Sequence, residues 1–142
     1  MRILVLGPDE GWHADQLRQA ASIAGDSIAY AEYESLRSMI TRDGVSRWEG
    51  SAGPLDAFDV ILTRTMPAGS LEQITFRLNV LHSLQQTGVR IVNPPSALET
   101  AIDKFACTMR LRQLGYRVPA TAVCQTRADA MKAFESLGAA LS

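Results

Sequence analysis

No stretch of the 142 residues approaches the roughly 20 apolar residues needed to cross a bilayer. The opening run, Ile3–Leu6, is too short, and too soon followed by Gly7-Pro8, to be the core of a signal peptide. No membrane partner is expected, and the cytoplasm is the default compartment. Cysteine is scarce. Cys107 and Cys124 fall on segments that read as different elements, without CxxC spacing, so they are expected to be buried thiols and not a disulfide or zinc pair. Neither sign of charge is in excess: 14 Lys and Arg stand against 15 Asp and Glu, a net charge of -1. That balance gives no reason to expect nucleic acid or an anionic surface as partner. Internal repeats and low-complexity tracts are absent as well.

Several catalytic signatures are also missing. Gly7-Pro8-Asp9-Glu10-Gly11 follows the first strand-like run, but its two glycines do not make GxGxxG, which argues against a dinucleotide held by this turn. No serine or cysteine sits in a nucleophile elbow of the GxSxG kind. His13 and His82 lie far apart, with no HExxH or ligand cluster near either, and are expected to be surface histidines.

What is present is a soluble-type composition, 46% hydrophobic with mean hydropathy near zero, in a chain of single-domain length. Met1–Leu6 reads as a strand covered on both faces. Trp12–Ala24 follows as a helix with Leu17, Ala20, Ala21 and Ala24 at helical spacing, stopped by Gly25, and Ser27–Tyr30 is a second strand. Leu36–Thr41 and Val45–Trp48 flank Arg42-Asp43-Gly44, a hairpin signal, and Ser51–Pro54 reads as loop. Phe58–Thr63 is a buried strand. Ala68–Thr87 is predicted helical, with Leu71, Ile74, Leu78, Leu81 and Leu84 as its stripe. Val89–Val92 is a fourth parallel strand, ended by Pro94-Pro95. Ser96 or Thr100 is the candidate cap for a helical region running to Leu114 and Gly115. Val118–Val123 is extended, and Arg127–Leu137 is a last helix between Thr126 and Gly138.

Three residues carry candidate chemistry. Arg64 follows the buried strand directly, at the carboxyl end where open α/β sheets bind ligands, and its guanidinium suits a carboxylate or phosphate. It could equally solvate the strand end or pair with Asp56 or Asp59. Asn93 ends the fourth strand, where its amide could bond the turn backbone. Lys104 stands in an Asp103-Lys104 pair at the start of a helix, a position usually occupied by a solvated charge.

The order strand, double-proline turn, helix and proline-entered extension over Val89–Thr121 resembles the end of the N-terminal domain of ATP-grasp ligases, most closely the RimK-like glutamate ligases. Phe58–Arg64 is similar to the family's D-x-V-h-h-x-R strand, and Ile91-Val92-Asn93 to its I-V-N turn. Leu111–Thr121 is similar to its L-x-x-x-G-h-x-h-P-x-T passage. The resemblance implies a three-layer, Rossmann-like pre-ATP-grasp domain with a mostly parallel sheet and a peripheral β-hairpin. It places that domain over residues 1–117 and the start of an incomplete ATP-grasp central region over 118–142. It further implies a carboxylate–amine ligase that adds glutamate through an acyl phosphate, using ATP and magnesium. Lys104 would reach the nucleotide phosphates, and Arg64 and Asn93 would touch a small-molecule or peptide substrate.

The family's second lysine strand, phosphate loop and magnesium ligands have no counterpart before Ser142. The chain alone is therefore expected to be inactive, with no catalytic or metal residue of its own and no tight ATP binding, and to be a truncated product or a cut piece of a longer ligase. Val118–Val123, Met131, Phe134 and Leu137 would then show apolar faces, and the strand edge there would offer a route to a homodimer. The alternatives are a non-enzymatic α/β module for a small anion, nucleotide or protein partner, anchored by Arg64, and a flavodoxin-like nucleotide-binding enzyme. The acceptor is left open.

Overall fold

A computed structural model describes residues 1–44 and 46–139. Val45, in the predicted hairpin, and residues 140–142 lie outside them. The chain divides into two compact units, Met1–Glu99 and Thr100–Ser142.

The first unit holds a four-stranded, wholly parallel sheet of β1 (Arg2–Leu6), β2 (Ser27–Ala31), β6 (Val60–Thr63) and β7 (Arg90–Val92) in the order β2-β1-β6-β7. Between them run α1 (Trp12–Ala24) and α2 (Leu71–Gln86). The β1-to-β2 and β6-to-β7 crossovers move in opposite directions across the sheet. With right-handed connections, that reversal puts α1 and α2 on opposite faces. Alternation along β1 agrees. Leu4 and Leu6 join the core that contains Val80, Leu81 and Leu84 of α2, while Val5 borders a recess with Ala14 and Leu17 of α1. The result is the expected three-layer α/β arrangement.

A separate antiparallel sheet follows β2: β3 (Arg37–Ile40), β4 (Ser46–Gly50) and β5 (Gly53–Pro54), in that order. The hairpin stands where Asp43-Gly44 predicted it. β5 corrects the loop expected over Ser51–Pro54, and Pro54 is tolerated because it lies on an edge strand. Trp48 of β4 and Leu55, in the 3-10 turn that follows β5, belong to or pack on the main core.

Helix boundaries follow local chemistry more than hydrophobic spacing. Gly25, at φ 72°, closes α1 in the left-handed conformation. The buried face of α1 is Ala14 and Ala21, with Ala20 and Ala24 exposed. α2 starts at Leu71, not Ala68, because Ser70 and Gln73 form a capping box: the Ser70 hydroxyl accepts from Gln73 N at 3.3 Å, and Gln73 Oε1 accepts from Ser70 N at 2.9 Å. Leu71 is consequently exposed in the first turn, and the buried stripe is Arg77, Leu78, Val80, Leu81 and Leu84.

The predicted helix before Gly115 is two helices, α3 (Pro95–Ile102) and α4 (Lys104–Gln113). Asp103 separates them in extended conformation and caps α4, accepting from Phe105 N at 2.9 Å and Ala106 N at 3.0 Å. Val118–Val123 joins no ladder among the described residues. α5 (Arg127–Ala139) is capped by Thr126, which accepts from Asp129 N at 3.2 Å, and it continues through Gly138. Val123, Met131 and Phe134 are exposed, as expected, and Leu137 is half-buried. Cys107 is half-buried and Cys124 exposed, both free, so the expectation of two buried thiols fails for Cys124, which lies on the exposed segment after Thr121.

Candidate functional site

The strand order reverses between β1 and β6, and the carboxyl ends of those two strands form the switch point where open α/β sheets bind ligands. Their closeness is built into the ladder: Arg64 N donates to Leu6 O at 2.9 Å, and Gly7 N donates to Ala31 O at 3.0 Å. Gly7 has φ 149°, and a Cβ placed on it would lie 2.8 Å from Arg64 Cβ. Only glycine meets both demands.

A cavity of about 590 Å³ opens at this edge, with Gly7, Asp9, Glu32, Tyr33, Thr65 and Pro67 among its lining residues. Glu10 and Glu34 line it too, so its margin carries four carboxylates. A smaller recess of about 150 Å³ brings Arg64 together with Glu10, His13 and Tyr30. The Arg64 side chain makes no hydrogen bond or ion pair among the described residues. The alternative pairing with Asp59 does not occur: that carboxylate stands at the amino end of β6, opposite to Arg64, and accepts from Arg2 N at 2.6 Å.

Two residues that sequence reasoning missed shape these walls. Tyr33 is only 2% exposed, and its hydroxyl donates to Arg64 O at 3.4 Å. Burial pushes its phenol up to about 12, although the Arg77 cation acts in the opposite sense. Arg77, 4% exposed, donates from Nη1 to Pro67 O at 2.7 Å and lies 3.8 Å from Glu34, with its guanidinium 6.0 Å from the Tyr33 ring centre. It thereby ties the chain after β2 to the chain after β6. The available signal was its place three and four residues before Val80 and Leu81, on the buried stripe. On the α1 side, Tyr30 donates to Ala14 O at 3.0 Å, and Arg18 stacks 4.6 Å over its ring while also bonding Asp9 O. Desolvation raises the Tyr30 phenol.

Asn93 is exposed just beyond β7, and its carbonyl accepts from Thr63 Oγ1 at 3.2 Å. In the second unit, Lys104 is exposed at the first position of α4, beside its Asp103 cap. That unit contains a cavity of about 380 Å³ bordered by Phe105, Thr108, Arg112, Tyr116 and Thr121. Among the described residues no group of three His, Cys, Asp or Glu could hold a metal ion. His82 instead meets Glu99 at 2.8 Å. No described helix is long and apolar enough to cross a membrane.

No protein-family model matches the chain. It is 31% identical over 87 residues to the tetrahydromethanopterin:alpha-L-glutamate ligase of Methanosarcina acetivorans, a match covering 61% of this chain and 27% of that protein. The RimK domain ATP-grasp protein of Sphaerobacter thermophilus aligns at TM-score 0.71 and 20% identity, covering 96% of this chain and 46% of the other. The ATP-grasp ligase PsnB, complexed with its minimal precursor, aligns at TM-score 0.64 and 16% identity, covering 95% and 50%. The macrocyclase MdnB of Microcystis aeruginosa gives 0.63 and 13%, covering 96% and 58%. The chain thus has an α/β fold shared with part of the RimK-like ATP-grasp ligases. Its likeness to a glutamate ligase also holds in sequence. It spans about half the length of these solved structures, and its match covers about a quarter of the curated ligase.

Proposed function

We propose that this chain is the substrate-recognising part of an ATP-dependent carboxylate–amine ligase that joins glutamate to an acceptor. The observation that carries this reading is the 31% identity to a glutamate ligase on a fold shared with ATP-grasp enzymes. In this reading residues 1–117 are the pre-ATP-grasp domain and 118–142 open the central ATP-grasp region. Arg64, whose head is unpaired among the described residues, binds a carboxylate of the substrate, and Asn93 borders the same sheet edge. The substrate is a small molecule or a peptide, as the precursor in the PsnB complex suggests.

ATP, when bound with magnesium, supplies the phosphoryl group that activates the carboxylate for attack by the amine. Lys104 fits one part of that site: its exposed ammonium is a point charge that suits phosphate oxygens. In this reading the magnesium ligands and the phosphate loop belong to the ATP-grasp half of the ligase, and the isolated chain does not turn over. The workplace of such a ligase is the cytoplasm.

The test is phosphate release from ATP with magnesium, glutamate and candidate acceptors, measured for the chain alone and with a separately supplied ATP-grasp half. No release alone, restored release with the added half, and loss of that release in Lys104→Met support the reading. Robust magnesium-dependent release by the chain alone, abolished by Lys104→Met, overturns the claim of inactivity. Anion or nucleotide binding that depends on Arg64, with no turnover under any pairing, favours the non-enzymatic module.

A further inference from the structure

β3 is the free edge of the hairpin sheet: it pairs with β4 on one side and with no strand on the other among the described residues. Its four residues, Arg37–Ile40, are all exposed. A bare edge of this kind presents unpaired N–H and C=O groups to any extended chain of matching register. The register with β4 sorts the side chains onto two faces. Ser38 stands opposite Trp48, which packs on the core, whereas Arg37 opposite Glu49 and Met39 opposite Arg47 form the outer face.

That outer face is concave. Arg37, Met39, Arg47 and Glu49 border a cavity of about 470 Å³ that Phe76 of α2 closes from the side. Met39 is 61% exposed and Phe76 40% exposed, which gives the cavity an uncovered apolar floor. Its charges are unequal. Glu49 is engaged by Arg37 at 3.3 Å, and Arg47 makes no ion pair among the described residues. An apolar floor flanked by arginines and lying along a free strand edge suits strand addition, in which main-chain bonds give affinity and alternate side chains give selectivity. It selects against a basic occupant and against a purely polar one.

We propose that β3 and its outer face bind an acidic peptide carrying an apolar side chain, which adds to the hairpin sheet as a further strand. The apolar side chain covers Met39 and Phe76, and an acidic residue two positions away pairs with Arg47. This surface is distinct from the sheet edge that holds Arg64, and the proposal stands whether or not the ligase reading does.

The probe is acetyl-Glu-Thr-Leu-Thr-Glu-amide, with its Lys-for-Glu counterpart as control, titrated into the protein and read by fluorescence anisotropy and backbone amide exchange. The expected result is saturable binding of the acidic probe, with slowed exchange of the outward amides of Arg37–Ile40 and weakening as salt rises. Arg47→Glu should weaken the acidic probe about fivefold or more and gain the basic one, an inversion that a merely misfolded variant cannot show. Met39→Ser should weaken the acidic probe without changing its salt dependence. Equal binding of both probes, protection elsewhere than β3, or indifference to Arg47→Glu overturns the proposal. Slowed exchange of β3 without peptide, together with concentration-dependent dimers, overturns it in favour of a second copy of the chain.

Discussion

Replacing Gly7 with alanine probes the switch point most directly, because the structure assigns that glycine two separable constraints. Its φ of 149° is a conformation that side-chain-bearing residues rarely adopt, and holding one there costs about 1–3 kcal/mol. The added methyl would also lie 2.8 Å from Arg64 Cβ, a stem held by Arg64 N to Leu6 O and by Tyr33 to Arg64 O. Forcing an extra carbon into such a contact costs about 1–3 kcal/mol more. Gly7→Ala should therefore lose about 2–6 kcal/mol, a large part of the stability of an ordinary domain. Urea unfolding followed by far-UV circular dichroism reads this as a midpoint lowered by at least about 1 M. Arg64→Gly removes the opposing Cβ but leaves φ untouched, so the double variant should recover only the steric part. The expected coupling in the cycle is about 1–3 kcal/mol. A Gly7→Ala variant within about 0.5 kcal/mol of the parent, or a cycle additive to that margin, would refute the claimed contact.

Other expectations concern the walls and caps. The folded state holds the Tyr33 proton more tightly than the unfolded chain does, so its contribution to stability should be level below about pH 10 and fall by about 2–3 kcal/mol as pH rises to about 12. Tyr33→Phe should remove that decline from the pH profile of unfolding, and an unchanged profile would count against a buried phenol. Arg77→Met strands the Pro67 carbonyl and should cost about 1–3 kcal/mol. The Glu34 contact adds little because that carboxylate is largely exposed, so Glu34→Gln should leave the urea midpoint nearly unchanged. Asp103→Ala should cost about 1 kcal/mol and speed amide exchange at Phe105 and Ala106, whereas Asp103→Asn should preserve both.

The parallel sheet was legible because β1 and β6 are short apolar runs covered on both faces, and because Asp43-Gly44 announces a hairpin by its turn chemistry. What escaped was polar and local. Leu71 reads as the first residue of a stripe, yet the Ser70–Gln73 box starts the helix there and leaves Leu71 in solvent. Asp103 divides one apparent helix into two: it is extended, and its side chain offers the donors at the start of α4 an alternative to helix carbonyls. Arg77 stands outside the apolar stripe read from the sequence, although its position lies on the buried face. Only the fold reveals that Pro67 O lies there to accept its hydrogen bond. The cavity had no signature in the sequence, because its walls come from the segments after β1, β2 and β6, which meet only once the crossovers are made.

Arg64 shows how these hidden contacts bear on the candidate site. Its place after a buried strand was visible, but a strand-end arginine alone says nothing about whether its charge is available. The structure separates stem from head. The main chain is held by Leu6 and Tyr33, and the Cβ lies against Gly7, while Arg77 fixes the neighbouring Pro67 segment. The guanidinium meanwhile keeps no hydrogen bond or ion pair among the described residues. Anchoring the backbone removes conformational freedom that a ligand would otherwise have to restrict on binding, and an unpaired head leaves its donors for that ligand. A purely structural arginine needs the reverse arrangement, with its head engaged, and Arg77 supplies that contrast on the same wall. Substitution at the two positions should accordingly diverge. Arg64→Gln should leave the stability read from urea unfolding within about 0.5 kcal/mol of the parent while weakening capture of a carboxylate-bearing substrate, and Arg77→Met should lower that stability. If Arg64→Gln proved the more destabilising of the two, the guanidinium would be a structural prop and its assignment to substrate would have to be withdrawn.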